Sequence, residues 1–186
     1  DMAVGKMTTG LELTQSLLEL KVDAKFLATG QTGICISGSG IPLDAFKVDH
    51  ATGAVEEMVL KYKERDVVVI EGQGSLLNPG STATLPLMRG SCPTAMILCH
   101  RFGLKKVESI TEVQIPPLEK VIQLNEAMVS CMNLFPAAKV KGLALDTRDL
   151  NENLAKHEIK NLEDELNLPV TDPVRFGAKK LAEAIN

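Results

Sequence analysis

The sequence predicts an α/β domain in which a mostly parallel β-sheet is covered by helices on both faces. Short apolar stretches typical of buried strands alternate along the chain with longer stretches of helical periodicity, which is the order expected for such a sheet. The clearest strand, Val67 to Ile70, is apolar at every position, as strands buried on both faces are. The 186 residues can form one domain with its own core, so we treat residues 1–186 as one domain.

Each element follows from its own pattern along the chain. Leu13, Leu17 and Leu20 recur at helical spacing and predict a helix over residues 6–21. Further helices are predicted over residues 50–63, from the proline pair at 116–117 onward, around 155–166, and over 174–185. Strands are predicted over residues 24–29, 34–36, 66–70, 95–99 and 140–145, and at Val170. A tight turn at residues 30–33 and a long loop over residues 72–84 connect some of these elements.

The helix after the proline pair carries an apolar stripe. Its members are Leu118, Val121, Ile122, Met128, Val129 and Met132. Asn125 lies within this stripe, so we expect its side chain either to be paired in the core or to face a ligand.

The composition excludes several classes of function. The net charge is −4 and the sequence has no dense run of Lys and Arg, so it predicts no positively charged surface for binding nucleic acid or an anionic membrane. No apolar run is long enough to span a bilayer, and no signal peptide precedes the first motif, so we expect a cytoplasmic protein. The four cysteines form no C-x-x-C pair and are predicted to be buried, reduced thiols. A zinc site would need Cys and His to be more closely clustered, and only the neighbours Cys99 and His100 approach that spacing.

The first eight residues, Asp1-Met2-Ala3-Val4-Gly5-Lys6-Met7-Thr8, are predicted to form most of a phosphate-binding loop at the start of the first helix, with Val4 to Thr8 as the residues that contact the ligand. The unpaired backbone N–H groups and the positive dipole end of a helix favour an anion, and the lysine adds a mobile positive charge. A P-loop normally has Ser or Thr directly after the lysine to hold Mg²⁺, whereas this chain has Met7. A buried strand also normally precedes such a loop, so we expect the chain to be a fragment whose first strand is missing.

Two acidic residues are candidates for a place beside that loop. Glu71 ends the clearest strand, where a P-loop protein keeps an acidic residue that holds Mg²⁺ or a water molecule. The alternative is that Glu71 is a solvent-facing strand end. Asp49 is predicted at the start of a helix, where it is either the N-cap, a residue at the phosphates, or both. With Mg-nucleotide bound, Thr8, Asp49 and Glu71 would be the metal ligands.

Three further groups of polar residues lie at predicted strand ends or in loops. Gln31, Thr32 and Gly33 offer donors and a close backbone approach to a ligand, although a plain turn fits equally well. His100 and Arg101 follow a strand and are predicted to lie at the carboxyl edge of the sheet, as a general base and a carboxylate anchor; a structural pair is the alternative. Arg89 is a second candidate for a carboxylate. The side chain of Asp146 is predicted to contact a nucleotide base. The alternative is that Asp146-Thr147 caps the helix that begins near Asn151.

Several of these segments together resemble one bacterial family. They are residues 1–9 (DMAVGKMTT), 28–33 (ATGQTG), 71–76 (EGQGSL) and 98–101 (LCHR), and the resemblance runs over nearly the whole chain. The chain resembles the C-terminal P-loop domain of a family long catalogued as a domain of unknown function, which includes D-glutamate N-acetyltransferase. Full-length members carry an additional N-terminal Rossmann-like domain. The first segment also resembles dethiobiotin synthetase, in which a Thr stands where this chain has Met7.

The resemblance implies transfer of an acetyl group from acetyl-CoA to the amine of a D-amino acid such as D-glutamate. The phosphate loop would then hold phosphates of coenzyme A, His100 would act as base, Arg101 or Arg89 would hold a substrate carboxylate, and Glu71 would belong to the same site. One alternative is an ATP- and Mg²⁺-dependent ligase or kinase; another is a non-catalytic nucleotide-binding regulatory domain. The expected partners are a small-molecule substrate, the missing N-terminal domain and, as an open possibility, further copies of the chain.

Overall fold

The computed structural model describes residues 3–108, 110–131 and 133–186. Asp1 and Met2 of the predicted phosphate loop, and Met132 of the apolar stripe, therefore lie outside the described residues. The α-helices are α1 (Lys6–Glu19), α2 (Gln31–Ser37), α3 (Val48–Leu60), α4 (Thr84–Ser91), α5 (Leu118–Ser130), α6 (Glu152–Leu166), α7 (Pro173–Phe176) and α8 (Lys179–Ile185). The strands are β1 (Ala24–Leu27), β2 (Val67–Ile70), β3 (Ala95–Arg101), β4 (Lys106–Val107), β5 (Ile110–Gln114), β6 (Lys139–Asp146) and β7 (Val170–Thr171).

The α/β fold class is confirmed, and the parallel strands form two sheets. β1 pairs with β2 in parallel, and β3, β6 and β7 form a second parallel sheet in the order β3-β6-β7. β4 and β5 form a short antiparallel hairpin. The hairpin was not predicted, because β4 is only two residues long and carries no alternating pattern.

Helices cover both faces of the parallel sheets, and neighbouring residues on a strand point to opposite faces. Val69 packs in a core cluster with α1 and α8, whereas the next residue, Ile70, packs with residues of α3 and α4. On β6, Ala144 joins the α1 cluster, while Leu143 and Leu145 pack against α6. This alternation follows from the two-residue period of a strand. One face of each sheet therefore packs against α1.

Residues 31–37 form helix α2, so the predicted turn and short strand in this segment were wrong. Gly30 is the N-cap of α2, and its backbone N–H donates to the carboxylate of Glu71 at 3.1 Å. A Cβ on Gly33 would lie 2.7 Å from the same carboxylate, so only glycine lets this helix approach β2 so closely. The helix is thus stabilised by a residue 41 positions from its N-cap in sequence, which local patterns cannot show.

Smaller differences concern the ends of elements and the cysteines. The predicted closing helix is two helices, α7 and α8, separated by Gly177 at φ 75°, and α4 was not predicted at all. Pro117 is the N-cap of α5 and not a residue of its first turn. All four cysteines are free thiols, but Cys35 and Cys92 are exposed, contrary to the expectation of burial. No helix in the described part of the chain is long and apolar enough to cross a membrane.

A buried carboxylate fixes the loop after β6. The side chain of Asp172 is 3% exposed; one of its oxygens accepts from the N–H and the hydroxyl of Thr147, and the other from the N–H groups of Val174 and Arg175. Arg175 in turn donates to the backbone carbonyl of Leu150 at 2.7 Å. These contacts hold the residues that follow Asp146 in one conformation.

We expect Asp172→Asn to lower the free energy of unfolding by about 2 kcal/mol, because the new NH₂ group must face N–H donors in either orientation. Urea unfolding of the full-length protein measures this. The matched control is Asp164→Asn, on an exposed face of α6 where the carboxylate pairs with Lys160; its expected loss is below about 0.5 kcal/mol. Equal losses in the two variants would contradict the buried role of Asp172.

Candidate functional site

The start of α1 has the geometry of an anion-binding helix N-terminus. Gly5 is the N-cap at φ 85°, a left-handed conformation that L side chains rarely adopt, and its carbonyl accepts from the N–H of Thr9 at 2.8 Å. Lys6 is the first helical residue, and Val4 before the turn is buried at 4% exposure. α1 is 14 residues long, so its dipole and its first N–H groups are aligned at this end.

The Lys6 side chain runs alongside the segment that follows β2. Its Cδ lies 3.1 Å from the place where a Cβ on Gly72 would be, so Gly72 leaves room for the lysine stem. Burial lowers the pKa of Lys6, and the neighbouring Cys99 and Glu71 act in the opposite direction. Glu71, at the end of β2, therefore lies close to Lys6, as predicted for a residue beside the phosphate loop.

Glu71 is buried at 6% exposure and is not the solvent-facing strand end that was the alternative. One of its carboxylate oxygens accepts from the backbone N–H groups of Thr29 at 2.9 Å and of Gly30 at 3.1 Å. Thr29 also donates its hydroxyl to the carbonyl of Glu71 at 2.9 Å. The carboxylate therefore joins β2 to the start of α2, close to Lys6.

The residues after Lys6 differ in what they face. Met7 packs against the core cluster of α1, so its thioether belongs to the interior. Thr8 is half-buried, and Thr9 is buried at 5% exposure, with its side chain near the thiol of Cys99. Burial raises the pKa of that thiol, which keeps Cys99 protonated at neutral pH. Thr9 was missed in the sequence, although its position three residues after Lys6 places it on the same helix face.

The remaining metal candidate lies on α3. Asp49 is exposed in the first turn of that helix, and the N-cap is Lys47, so the N-cap interpretation of Asp49 was wrong. Its carboxylate is still favoured there by the helix dipole. Within the described residues, no group of three or more His, Cys, Asp or Glu side chains is arranged to hold a metal ion.

Gln31 and Thr32 lie exposed in the first turn of α2, on the helix that Glu71 stabilises. The Gln31 amide donates to the carboxylate of Asp44 at 3.2 Å. The nearby Gly30 is close to the side chain of Gln73, since a Cβ there would meet its Nε2 at 2.7 Å. The segment 30–33 and the loop after β2 therefore form one surface.

His100 and Arg101 end β3 at the carboxyl edge of the second sheet. His100 is half-buried, and burial lowers its pKa, with the adjacent Arg101 acting in the same direction. Arg101 forms an ion pair with Glu108, at the tip of the β4–β5 hairpin. A ligand carboxylate on Arg101 would compete with Glu108, a contact that sequence patterns did not reveal.

Asp146 lies opposite Arg101 in the register of β6 and β3. Burial acts to raise the pKa of Asp146, but its hydrogen bonds with Arg148 outweigh that effect and lower it. The guanidinium of Arg148 also donates to the carbonyl of Ala3 at 3.5 Å, which joins this loop to the phosphate loop. The capping alternative for Asp146 was wrong, because Asn151 is itself the N-cap of α6 and accepts from the N–H of Leu154.

Arg89 does not line the cavity that Lys6 and His100 share, whereas Asn125 does. Arg89 stacks on the ring of Phe135, with its guanidinium 5.3 Å from the ring centre, and contacts Cys131. Asn125 donates its amide to the carbonyl of Val121 in its own helix at 2.8 Å and lines a large cavity. That cavity has a volume of about 570 Å³, and Lys6 and His100 lie on its wall.

Comparisons with known proteins identify the family of this chain. The model of the P-loop domain described as a domain of unknown function, DUF1611_C, matches residues 1–182. The chain belongs to the DUF1611 P-loop family. A crystal structure of a DUF1611 family protein from Anabaena variabilis superposes with a TM-score of 0.97 at 51% identity, covering 100% of this chain and 54% of that one.

Two curated relatives are named D-glutamate N-acetyltransferase. A D-glutamate N-acetyltransferase of Pseudoalteromonas sp is 34% identical over 182 residues, covering 97% of this chain and 54% of its own length. One of Tritonibacter scottomollicae is 34% identical over 186 residues, covering 100% and 55%. The chain thus spans about half the length of the curated relatives it matches. Chloroplast FtsY from Physcomitrella patens, with a TM-score of 0.50 and 16% identity, shares the fold alone.

We expect Lys6→Ala to weaken binding of inorganic pyrophosphate to the full-length protein by at least about 1.5 kcal/mol, the scale of a charge-assisted hydrogen bond. Titration calorimetry measures the affinity. Lys63→Ala is the matched control, because this lysine is exposed beyond the end of α3 and its removal should leave the affinity unchanged. Equal affinities of the wild-type protein and Lys6→Ala would refute the assignment of the phosphate loop.

Proposed function

We propose that the chain is the phosphate-binding domain of an N-acyltransferase, which moves an acetyl group from acetyl-CoA to the amine of a D-amino acid such as D-glutamate. The observation that carries the proposal is Met7, which packs against the core at the position where a P-loop nucleoside triphosphatase has a Mg²⁺-binding hydroxyl. The absence of this hydroxyl has the least effect on the binding of a ligand whose phosphates serve only as an anchor. The names of the curated relatives support the same reaction class.

Lys6 and the first N–H groups of α1 would hold the phosphates of the coenzyme. Their attraction for an anion is strengthened because Lys6 is partly buried, where the effective dielectric constant is lower than in water. No metal ion is required for this anchoring. The reactive thioester would lie elsewhere along the same edge of the sheets.

His100 would take the proton from the substrate ammonium. The free amine then attacks the thioester carbonyl and a C–N bond forms. The attacking nitrogen gives up its second proton, the C–S bond breaks, and the thiolate of coenzyme A takes up that proton and leaves as the thiol. A lowered pKa keeps more of the imidazole neutral at pH 7, which is the form a base needs. Arg101 would bind the substrate carboxylate in exchange for Glu108, and backbone N–H groups of the glycine-containing loops would stabilise the oxyanion.

The reaction class is tested by incubating the full-length protein with D-glutamate and either acetyl-CoA or Mg-ATP with bicarbonate. We expect acetylated glutamate and an equal amount of free thiol with acetyl-CoA, detected by mass and by thiol titration. Substrate-dependent ADP formation without acetyl transfer would instead establish an ATP-dependent ligase, the competing function.

His100→Gln should lower kcat/KM by about 10²- to 10⁴-fold, the usual contribution of a general base. In the wild-type protein the acid limb of the kcat/KM profile should lie below pH 6.5, the ordinary pKa of histidine, because the folded-state pKa of His100 is lowered. His157→Gln is the control, since this histidine is exposed on α6 and should leave both quantities unchanged. An acid limb above pH 6.5, or full activity of His100→Gln, would exclude His100 as the base.

A further inference from the structure

The loop after β6 brings a guanidinium group to the phosphate loop. Arg148 lies two residues beyond the end of β6, and its Nη2 donates to the backbone carbonyl of Ala3 at 3.5 Å. Ala3 is two residues before Gly5, and two residues of chain span at most about 7 Å. The guanidinium of a residue from the second sheet therefore lies beside the N-terminus of α1.

Asp146 holds this guanidinium along one edge. Its carboxylate accepts from Nε of Arg148 at 2.7 Å and also contacts Nη2. Nη2 thus serves both Asp146 and Ala3, whereas within the described part of the chain Nη1 donates to no group. The Arg148 side chain is 54% exposed, so a ligand can reach Nη1. Because a guanidinium carries its N–H donors in one plane, it can bind a carboxylate along one edge and phosphate oxygens along another.

Contacts from the start of α7 fix the loop that carries Arg148. Asp172 accepts hydrogen bonds from the N–H and the hydroxyl of Thr147. Arg175 donates to the carbonyl of Thr147 at 3.2 Å and to that of Leu150 at 2.7 Å. The backbone on both sides of Arg148 is therefore held in place before any ligand binds. A group that is positioned in advance loses less affinity to the ordering of its own chain.

The charges around Arg148 favour one way of binding an anion. The hydrogen bond with Asp146 raises the pKa of Arg148, and Asp149 and Glu108 act in the same direction, so the guanidinium stays positively charged. The same carboxylates offset its attraction for a separate anion in solution. A phosphate that is covalently joined to a group already on the phosphate loop is instead presented to Arg148 at a high effective concentration.

We propose, with the proposed function as the premise for the identity of the nucleotide, that Arg148 binds the 3′-phosphate on the ribose of coenzyme A. In coenzyme A one ribose ring separates this phosphate from the pyrophosphate, which fits a guanidinium beside the phosphate loop but on a separate segment of the chain. ATP carries no phosphate at that position, so Arg148 selects coenzyme A over ATP. Asp146 is then a positioning residue, because its carboxylate is engaged by Arg148.

Titration calorimetry of the full-length protein with coenzyme A and with 3′-dephospho-coenzyme A tests the proposal. We expect coenzyme A to bind about 10-fold more tightly or better, the scale of a hydrogen bond to a charged group. Arg148→Gln should lower the affinity for coenzyme A to that for the dephospho form, and should leave the affinity for the dephospho form unchanged.

Arg65→Gln is the matched control. Arg65 is also exposed and paired with an aspartate, Asp23, but it precedes β2 and so lies at the edge of the sheet opposite to Glu71 and Lys6. This variant should keep the full preference for coenzyme A over the dephospho form.

Two results would overturn the proposal. One is equal affinity of the wild-type protein for the two coenzymes. The other is an equal loss of affinity for both in Arg148→Gln, because Arg148 would then support the phosphate loop through Ala3 and would not bind the ligand.

Nucleotides without the thioester arm separate this proposal from the proposed function. We expect adenosine 3′,5′-bisphosphate to bind more tightly than AMP, and Arg148→Gln to abolish that difference. The same result in a protein that transfers no acetyl group would support the role of Arg148 and contradict the acyltransferase. Tighter binding of adenosine 2′,5′-bisphosphate than of the 3′,5′ isomer would assign the site to another nucleotide and overturn the proposal.

Discussion

The packing of α1 against both parallel sheets is the constraint on which the rest of the structure depends. Leu13 and Leu17 of this helix lie in one cluster with Phe26 and Val69 from the first sheet and Ala144 from the second. Burying each leucine contributes about 1.5–3 kcal/mol, so the cluster holds the two sheets together through one helix. Gly10 lets α1 approach closely, since a Cβ there would lie 2.6 Å from the Phe26 ring.

The position of α1 decides what its N-terminus can do. The helix places Gly5 and Lys6 at the carboxyl edge of the strands, beside Glu71 and Cys99. The carboxylate of Glu71 accepts hydrogen bonds from two backbone N–H groups. Met7 packs against the core, so the residue after Lys6 offers no hydroxyl to a metal ion at this positively charged helix end. An anion site of this kind suits a ligand held by its phosphates and reacting at a distance from them.

Regular periodicity made several helices and strands predictable from the sequence. Elements and contacts that depend on residues far apart in sequence could not be predicted. The helix α1 and the strands β2, β3 and β6 follow from local spacing, and the meeting of Lys6 with the end of β2 follows from the rule that parallel strands share a carboxyl edge. Residues 31–37 were misinterpreted because Glu71, far away in sequence, stabilises the start of that helix. The contact of Arg101 with Glu108 depends on how the β4–β5 hairpin folds back, which no spacing encodes.

We propose that this phosphate loop anchors a coenzyme A thioester without a metal ion. Titration calorimetry of the full-length protein with acetyl-CoA and with ATP, each in excess Mg²⁺ and in excess EDTA, tests this anchoring. We expect an acetyl-CoA affinity that is the same within about twofold in both buffers and tighter than that of ATP in either, since Met7 offers no oxygen to Mg²⁺. ATP binding that Mg²⁺ tightens by about tenfold or more, to below the dissociation constant of acetyl-CoA, would contradict it.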